Sequence, residues 1–106
     1  MDIKQLSKRA MLLRNKYAAL EKNKYGREWT NANIMEGFVG DVGDLMKLVQ
    51  VKEGIRHGEN VDEKLSHELS DCLWSILVLA ENYKIDLEES FVHTMDKLET
   101  RIEEDK

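Results

Sequence analysis

The sequence predicts an all-α fold, and three observations carry that prediction. Proline is absent from all 106 residues, so no position removes a backbone donor from a helix. Apolar residues recur at spacings of three and four, the period of a buried helical face. Glycines and capping residues fall between the periodic segments, where helices are expected to end and begin. The length sets a single domain, residues 1–106, and a helical chain this short commonly completes its core by oligomerising.

The first helix is read from Ile3, Leu6, Ala10, Leu13, Tyr17 and Leu20, an unbroken 3-4-3-4-3 series that Tyr25-Gly26 ends. Its opposite face carries Lys4, Lys8, Arg9 and Lys16. Thr30 or Asn31 caps a second helix running to about Glu53, before Gly54. Residues 54–60 form a loop, and Asn60 opens a third helix with Glu63 in the capping-box position. That helix extends to about Tyr83 and is apolar around much of its circumference from Cys72 to Ala80, which predicts burial on several sides and a partner subunit as the second surface. Asp86, with Glu89 three residues on, opens a fourth helix whose stripe is Phe91, Met95, Leu98 and Ile102, with fraying expected from Glu103 to Lys106.

Composition narrows the function. A net charge of −5 and a pI near 5.2 argue against a nucleic-acid polymer or an anionic membrane as partner. No stretch approaches the roughly 18 consecutive apolar residues of a membrane span, and the polar N-terminus lacks a signal-peptide core. Cys72 is the one cysteine, so no internal disulfide exists and a reducing, cytoplasmic location is expected. Placed within an apolar run, it reads as core rather than nucleophile. None of His57, His67 and His93 stands three residues after a Glu, which excludes the Glu-x-x-His pairs of a di-iron bundle. The glycine-rich run Gly37 to Gly43 lacks the Gly-Lys-Ser/Thr ending of a phosphate-binding loop.

The chemistry concentrates in two carboxylate pairs, Asp41 with Asp44 and Glu68 with Asp71. A spacing of three places both members of a pair on one helical face. Apolar stripes run beside them: Phe38, Val42, Leu45 and Val49 with the first pair, Leu65, Leu69, Leu73 and Ile76 with the second. If these stripes pack the helices together, four carboxylates converge on one volume and require cations or raised pKa values. Magnesium, or manganese in its place, is the matching ion because hard divalent cations prefer oxygen ligands. Gly37, Gly40 and Gly43 each cost about 1 kcal/mol relative to alanine inside a helix. Close approach of another helix and room for a ligand both explain them, and the repeat at three residues favours packing.

The order Gly40-Asp41-Val42-Gly43-Asp44, a loop, then Glu68-Leu69-Ser70-Asp71, with 23 residues between Asp44 and Glu68, resembles the MazG-like all-α nucleoside triphosphate pyrophosphohydrolases. Those enzymes carry Glu-Glu-x-x-Glu followed by Glu-x-x-Asp. The similarity continues through Leu73-Trp74, Ile85-Asp86-Leu87 and Met95 to Arg101, covering roughly residues 30–102. Here Asp replaces Glu at both retained positions of the first motif, Gly40 stands where the family has its first Glu, and Thr94 and Leu98 occupy places where the family often has Lys and Asn.

The resemblance implies a four-helix MazG-like bundle completed as a homodimer or homotetramer. It also implies hydrolysis of a nucleoside triphosphate between its α and β phosphates, giving a monophosphate and pyrophosphate, in house-cleaning of non-standard nucleotides. Asp41, Asp44, Glu68 and Asp71 would be both metal ligands and catalytic residues, with one of them or a metal-bound hydroxide as general base and Glu36 one turn earlier as a further reach. Trp29 would stack on the base, and Lys52, Arg56, Lys97 and Arg101 would meet the phosphates, Arg101 having the support of the family pattern. The alternative is a relative impaired at Gly40 that survives as a nucleotide-binding or helical interaction module.

Overall fold

The structure, a computed structural model, describes residues 1–105. Four helices follow one another: α1 Ile3–Tyr25, α2 Asn31–Lys52, α3 Val61–Asn82 and α4 Leu87–Glu104. No strand occurs among the described residues, so the all-α expectation holds. α4 runs to Glu104 with Asp105 as its C-cap, within the span Glu103 to Lys106 where fraying was expected, and Lys106 lies outside the described residues.

The helix ends follow local chemistry. Asp2 and Gln5 form a capping box at the start of α1, and Thr30 does the same for α2 with Asn33 as its reciprocal partner. Each box satisfies two backbone donors that a helix leaves free at its first turn. Gly26 ends α1 in the left-handed region at φ 79° and donates its backbone N–H to the Lys22 carbonyl oxygen. The side chain of Asp86 accepts from Glu89 N–H at 3.1 Å, as its position suggests. Asn60 departs from expectation. It precedes α3 but adopts φ 52°, and its side chain makes no capping bond. The left-handed backbone, which asparagine tolerates better than most residues, turns its side chain out of the capping geometry.

The pairing of α2 with α3 is the most extensive, α1 packs on α3, and α4 makes its main tertiary contact with α1. The core is small: Ala10, Ile34, Leu77 and Val78, with Leu6, Met11, Trp74, Leu79 and Leu87 packed against it. On α2 the buried or half-buried positions include 34, 38, 41, 45 and 48, and on α3 they include 61, 65, 68, 72, 75 and 79. These are two helical seams, and each has a carboxylate at one of its positions, Asp41 in the first and Glu68 in the second. Phe38 and Leu45 of α2 and Leu65 of α3 lie in these seams as expected, but the remaining expected positions are displaced by one residue, since Val42 and Val49 of α2 and Leu69, Leu73 and Ile76 of α3 are exposed.

Met35, Val39, Val42, Met46 and Val49 make a second full stripe on α2 that is exposed among the described residues, and Phe91, Met95, Leu98 and Ile102 do the same on α4. The C-terminal half of the expected α1 stripe, Leu13, Tyr17 and Leu20, is exposed as well. The chain is elongated, 57 × 39 × 26 Å, with a radius of gyration of 17.0 Å where a compact domain of this size has about 13 Å. Unpartnered apolar stripes of this length are expected to be covered by further copies. Sedimentation should therefore give at least a dimer, and a well-folded monomer at high micromolar concentration would contradict this. None of the described helices is long and apolar enough to cross a membrane.

Candidate metal and nucleotide site

Asp41 and Glu68 face each other because both stand in the α2–α3 seam, and Asp44 joins them from one turn along α2. One ligand oxygen from each of the three lies within 4.8 Å of the others. Oε1 of Glu68 is buried and has no hydrogen-bond partner among the described residues. A buried carboxylate oxygen without a donor is costly. Burial pushes the Glu68 pKa up, and the Asp41 carboxyl beside it, then Asp71 and Asp44, push it further. Oxygen-only ligands, clustered negative charge and one orphaned buried oxygen together fit a hard divalent cation.

Asp71 does not join the three. Its carboxylate meets His67 Nε2 at 3.2 Å, one turn back on α3, so the expected convergence of four carboxylates is a group of three with a fourth at its edge. The i, i+4 spacing of His67 and Asp71 favours this local pair. The Cys72 thiol is buried, and its pKa is pushed up by burial and then by Asp41, Glu68 and Asp71. It is core, as expected, and a poor nucleophile.

Two concavities flank the carboxylates. One is a cleft of about 570 Å³ between α1, α2 and α3, lined among others by Leu13, Tyr17, Trp29 and Trp74, with Asp41 and Asp71 on its wall. Tyr17 and Trp74 meet edge to face, with centroids 6.4 Å apart, and Trp74 Nε1 donates to the Ala10 carbonyl oxygen at 3.2 Å. Those contacts fix two of the three aromatic walls. The other concavity is a recess of about 670 Å³ that includes Asp44, Lys47, Lys64, His67 and Glu68.

Trp29, the expected stacking residue, lines the cleft. The expected phosphate cations lie elsewhere on the single chain. Lys52 Nζ is paired with Asp62 at 2.6 Å, and neither Lys52, Arg56, Lys97 nor Arg101 is among the residues lining the cleft or the recess. For Lys97 and Arg101 the reason is that α4 packs on α1 rather than over the carboxylates. The cations beside the carboxylates are Lys47 and Lys64. Their signal was in the sequence: Lys47 is three residues after Asp44 and Lys64 four before Glu68, which puts each on its carboxylate's face. The contribution of α1 had no such signal, because its Tyr17 reads as core by periodicity.

The glycines divide. A Cβ on Gly37 would lie 3.2 Å from Cζ3 of Trp29, whereas at Gly40 and Gly43 it would meet nothing within 4 Å. Packing against the other described helices of the same chain therefore explains neither Gly40 nor Gly43. Gly37 instead makes room for the Trp29 ring.

The family model of the MazG nucleotide pyrophosphohydrolase domain matches residues 30–104. No curated protein matches, and no solved structure matches.

Proposed function

Because the chain belongs to the family of MazG nucleotide pyrophosphohydrolase domains, we propose that it hydrolyses a nucleoside triphosphate between the α and β phosphates, with magnesium or manganese bound at Asp41, Asp44 and Glu68. The observation that carries the reading is the convergence of Glu68, whose buried Oε1 has no partner among the described residues, with Asp41 and Asp44, set between an aromatic cleft and a recess containing two lysines. The base enters the cleft against Trp29, Tyr17 and Trp74, since every base has a π face and stacking tolerates sequence. The phosphates then pass Asp41 toward the recess, where Lys47 and Lys64 offset their charge.

When bound, the cation neutralises charge on phosphate oxygens and lowers the pKa of a water. The chain's own residues supply orientation. The seam holds Asp41 and Glu68 rigidly on two helices, and the cleft walls keep the sugar and base in register with them. Asp71, at the cleft wall and tied to His67, flanks the reacting phosphate. A role for Lys97 and Arg101 at the phosphates requires a second copy of the chain to bring α4 over the carboxylates.

Gly40 favours one competing reading, a nucleotide-binding or helical interaction module without turnover, because it removes the carboxylate with which the family motif begins. A screen of NTPs and dNTPs with magnesium or manganese, following pyrophosphate release, separates the two. Metal-dependent release from at least one nucleotide is the expected result. Nucleotide binding with no release from any of them establishes the module instead.

A further inference from the structure

Trp29 is held in an unusual way. Its backbone N–H donates to Glu21 Oε1 at 2.8 Å, and its carbonyl oxygen accepts from Arg14 Nη2 at 2.7 Å. Arg14 Nη1 in turn donates to the same Glu21 oxygen at 3.1 Å. The two α1 side chains therefore grip one peptide segment from both sides. Arg14 is 6% exposed, and both residues also line the aromatic cleft. Burial alone would raise the Glu21 pKa, but the Trp29 N–H and Arg14 outweigh it and hold the carboxyl below its ordinary range.

What the grip secures is the backbone of a residue whose side chain is exposed. Trp29 is 47% exposed and lies outside the core cluster, so fixing it contributes little to core packing. Its six-membered ring rests on Gly37, one turn before Asp41, and a ring with its backbone fixed retains only two χ angles of freedom. We propose that Arg14 and Glu21 are positioning residues that hold Trp29 as a wall of the base cleft, so that recognition of the base depends on a part of α1 outside the matched residues 30–104. This rests on the reading of the cleft as the base site.

The test uses the whole chain with 5-fluorotryptophan. Two fluorine resonances arise from two tryptophans, and Trp29→Phe assigns them. In Glu21→Ala the Trp29 resonance should sharpen as the ring gains freedom, and KM for the nucleotide should rise about tenfold with kcat within about twofold. Glu21→Gln keeps an acceptor oxygen for both donors and should stay near wild type in both readouts. The metal-induced rise in Tm should be unchanged in each, which reports intact carboxylates. Arg14→Lys covers the case in which Glu21→Ala fails to fold. It keeps the charge beside Glu21 but has one nitrogen in place of the two that reach Glu21 and the Trp29 carbonyl, and should free the ring and raise KM in the same way. An unchanged Trp29 resonance in folded Glu21→Ala overturns the clamp, as does a loss of kcat at constant KM in either variant. Wild-type protein that turns over no nucleotide sinks the functional reading instead, and the fluorine spectrum still decides whether the clamp holds Trp29.

Discussion

Glu68→Gln is expected to raise the Tm of the metal-free protein, to abolish its stabilisation by magnesium or manganese, and to lower turnover by at least about 100-fold, the scale of removing a preorganised electrostatic group. The opposite signs follow from one geometry. In the metal-free protein the ionised Glu68 is buried against Asp41, with Asp71 and Asp44 close by, so its charge costs stability and an amide of the same shape does not. A carboxyl whose folded pKa lies above the ordinary 4.5 favours the fold fully below that value and loses the contribution as pH rises through its folded pKa. Metal-free wild type should lose stability across that window, and the loss should be smaller in Glu68→Gln.

With metal present the order reverses. A ligand at one hundred times its Kd adds about 2.7 kcal/mol by mass action, on the order of 10 °C for a domain of this size, and Glu68→Gln forfeits a ligand. Asp71→Asn should keep most of that gain, since the Asp71 carboxylate meets His67 and stands outside the three that converge. From the sequence alone Asp71 is an equal member of the set, so this pair of variants separates the observed site from the expected one. Equal metal-induced shifts in wild type and Glu68→Gln would dispose of the shared cation.

The fold was legible because its determinants are local. Periodicity, Thr30 and Asp86 as caps, and Gly26 as terminator fix where helices run without reference to the rest of the chain. The carboxylate motifs were legible for the same reason, being i, i+3 pairs on single helices. What could not be read was tertiary. A seam displaced by one residue on α2 puts Asp41 rather than Val42 in the interface, and periodicity cannot choose between two adjacent stripes when both are apolar. Tyr17 fits a core stripe and is a cleft wall because α1 packs through its N-terminal half. Lys52 looked free until the loop brought Asp62 to it.

Gly40→Glu is the substitution on which sequence and structure disagree most. The repeat of glycines at 37, 40 and 43 argued for a crowded helix face and hence for a loss of stability on adding a side chain. The structure leaves open space at Gly40, so the dominant backbone effect is the gain of about 1 kcal/mol on replacing glycine by a good helix former. Against it stand Glu36 and Asp44, each four residues away on the same face, and like charges at that spacing cost about 0.2–0.5 kcal/mol a pair. The two effects nearly balance without metal, with Tm expected within a few degrees of wild type. Bound cation removes the repulsion with Asp44 and turns the new carboxylate into a ligand one turn from it. Metal affinity and turnover should then both rise, each by about tenfold, the lower end of what supporting groups at metal sites contribute. A fall in Tm of many degrees accompanied by dissociation of the oligomer would show instead that a second copy packs on Gly40 and that the glycine is kept small for the interface.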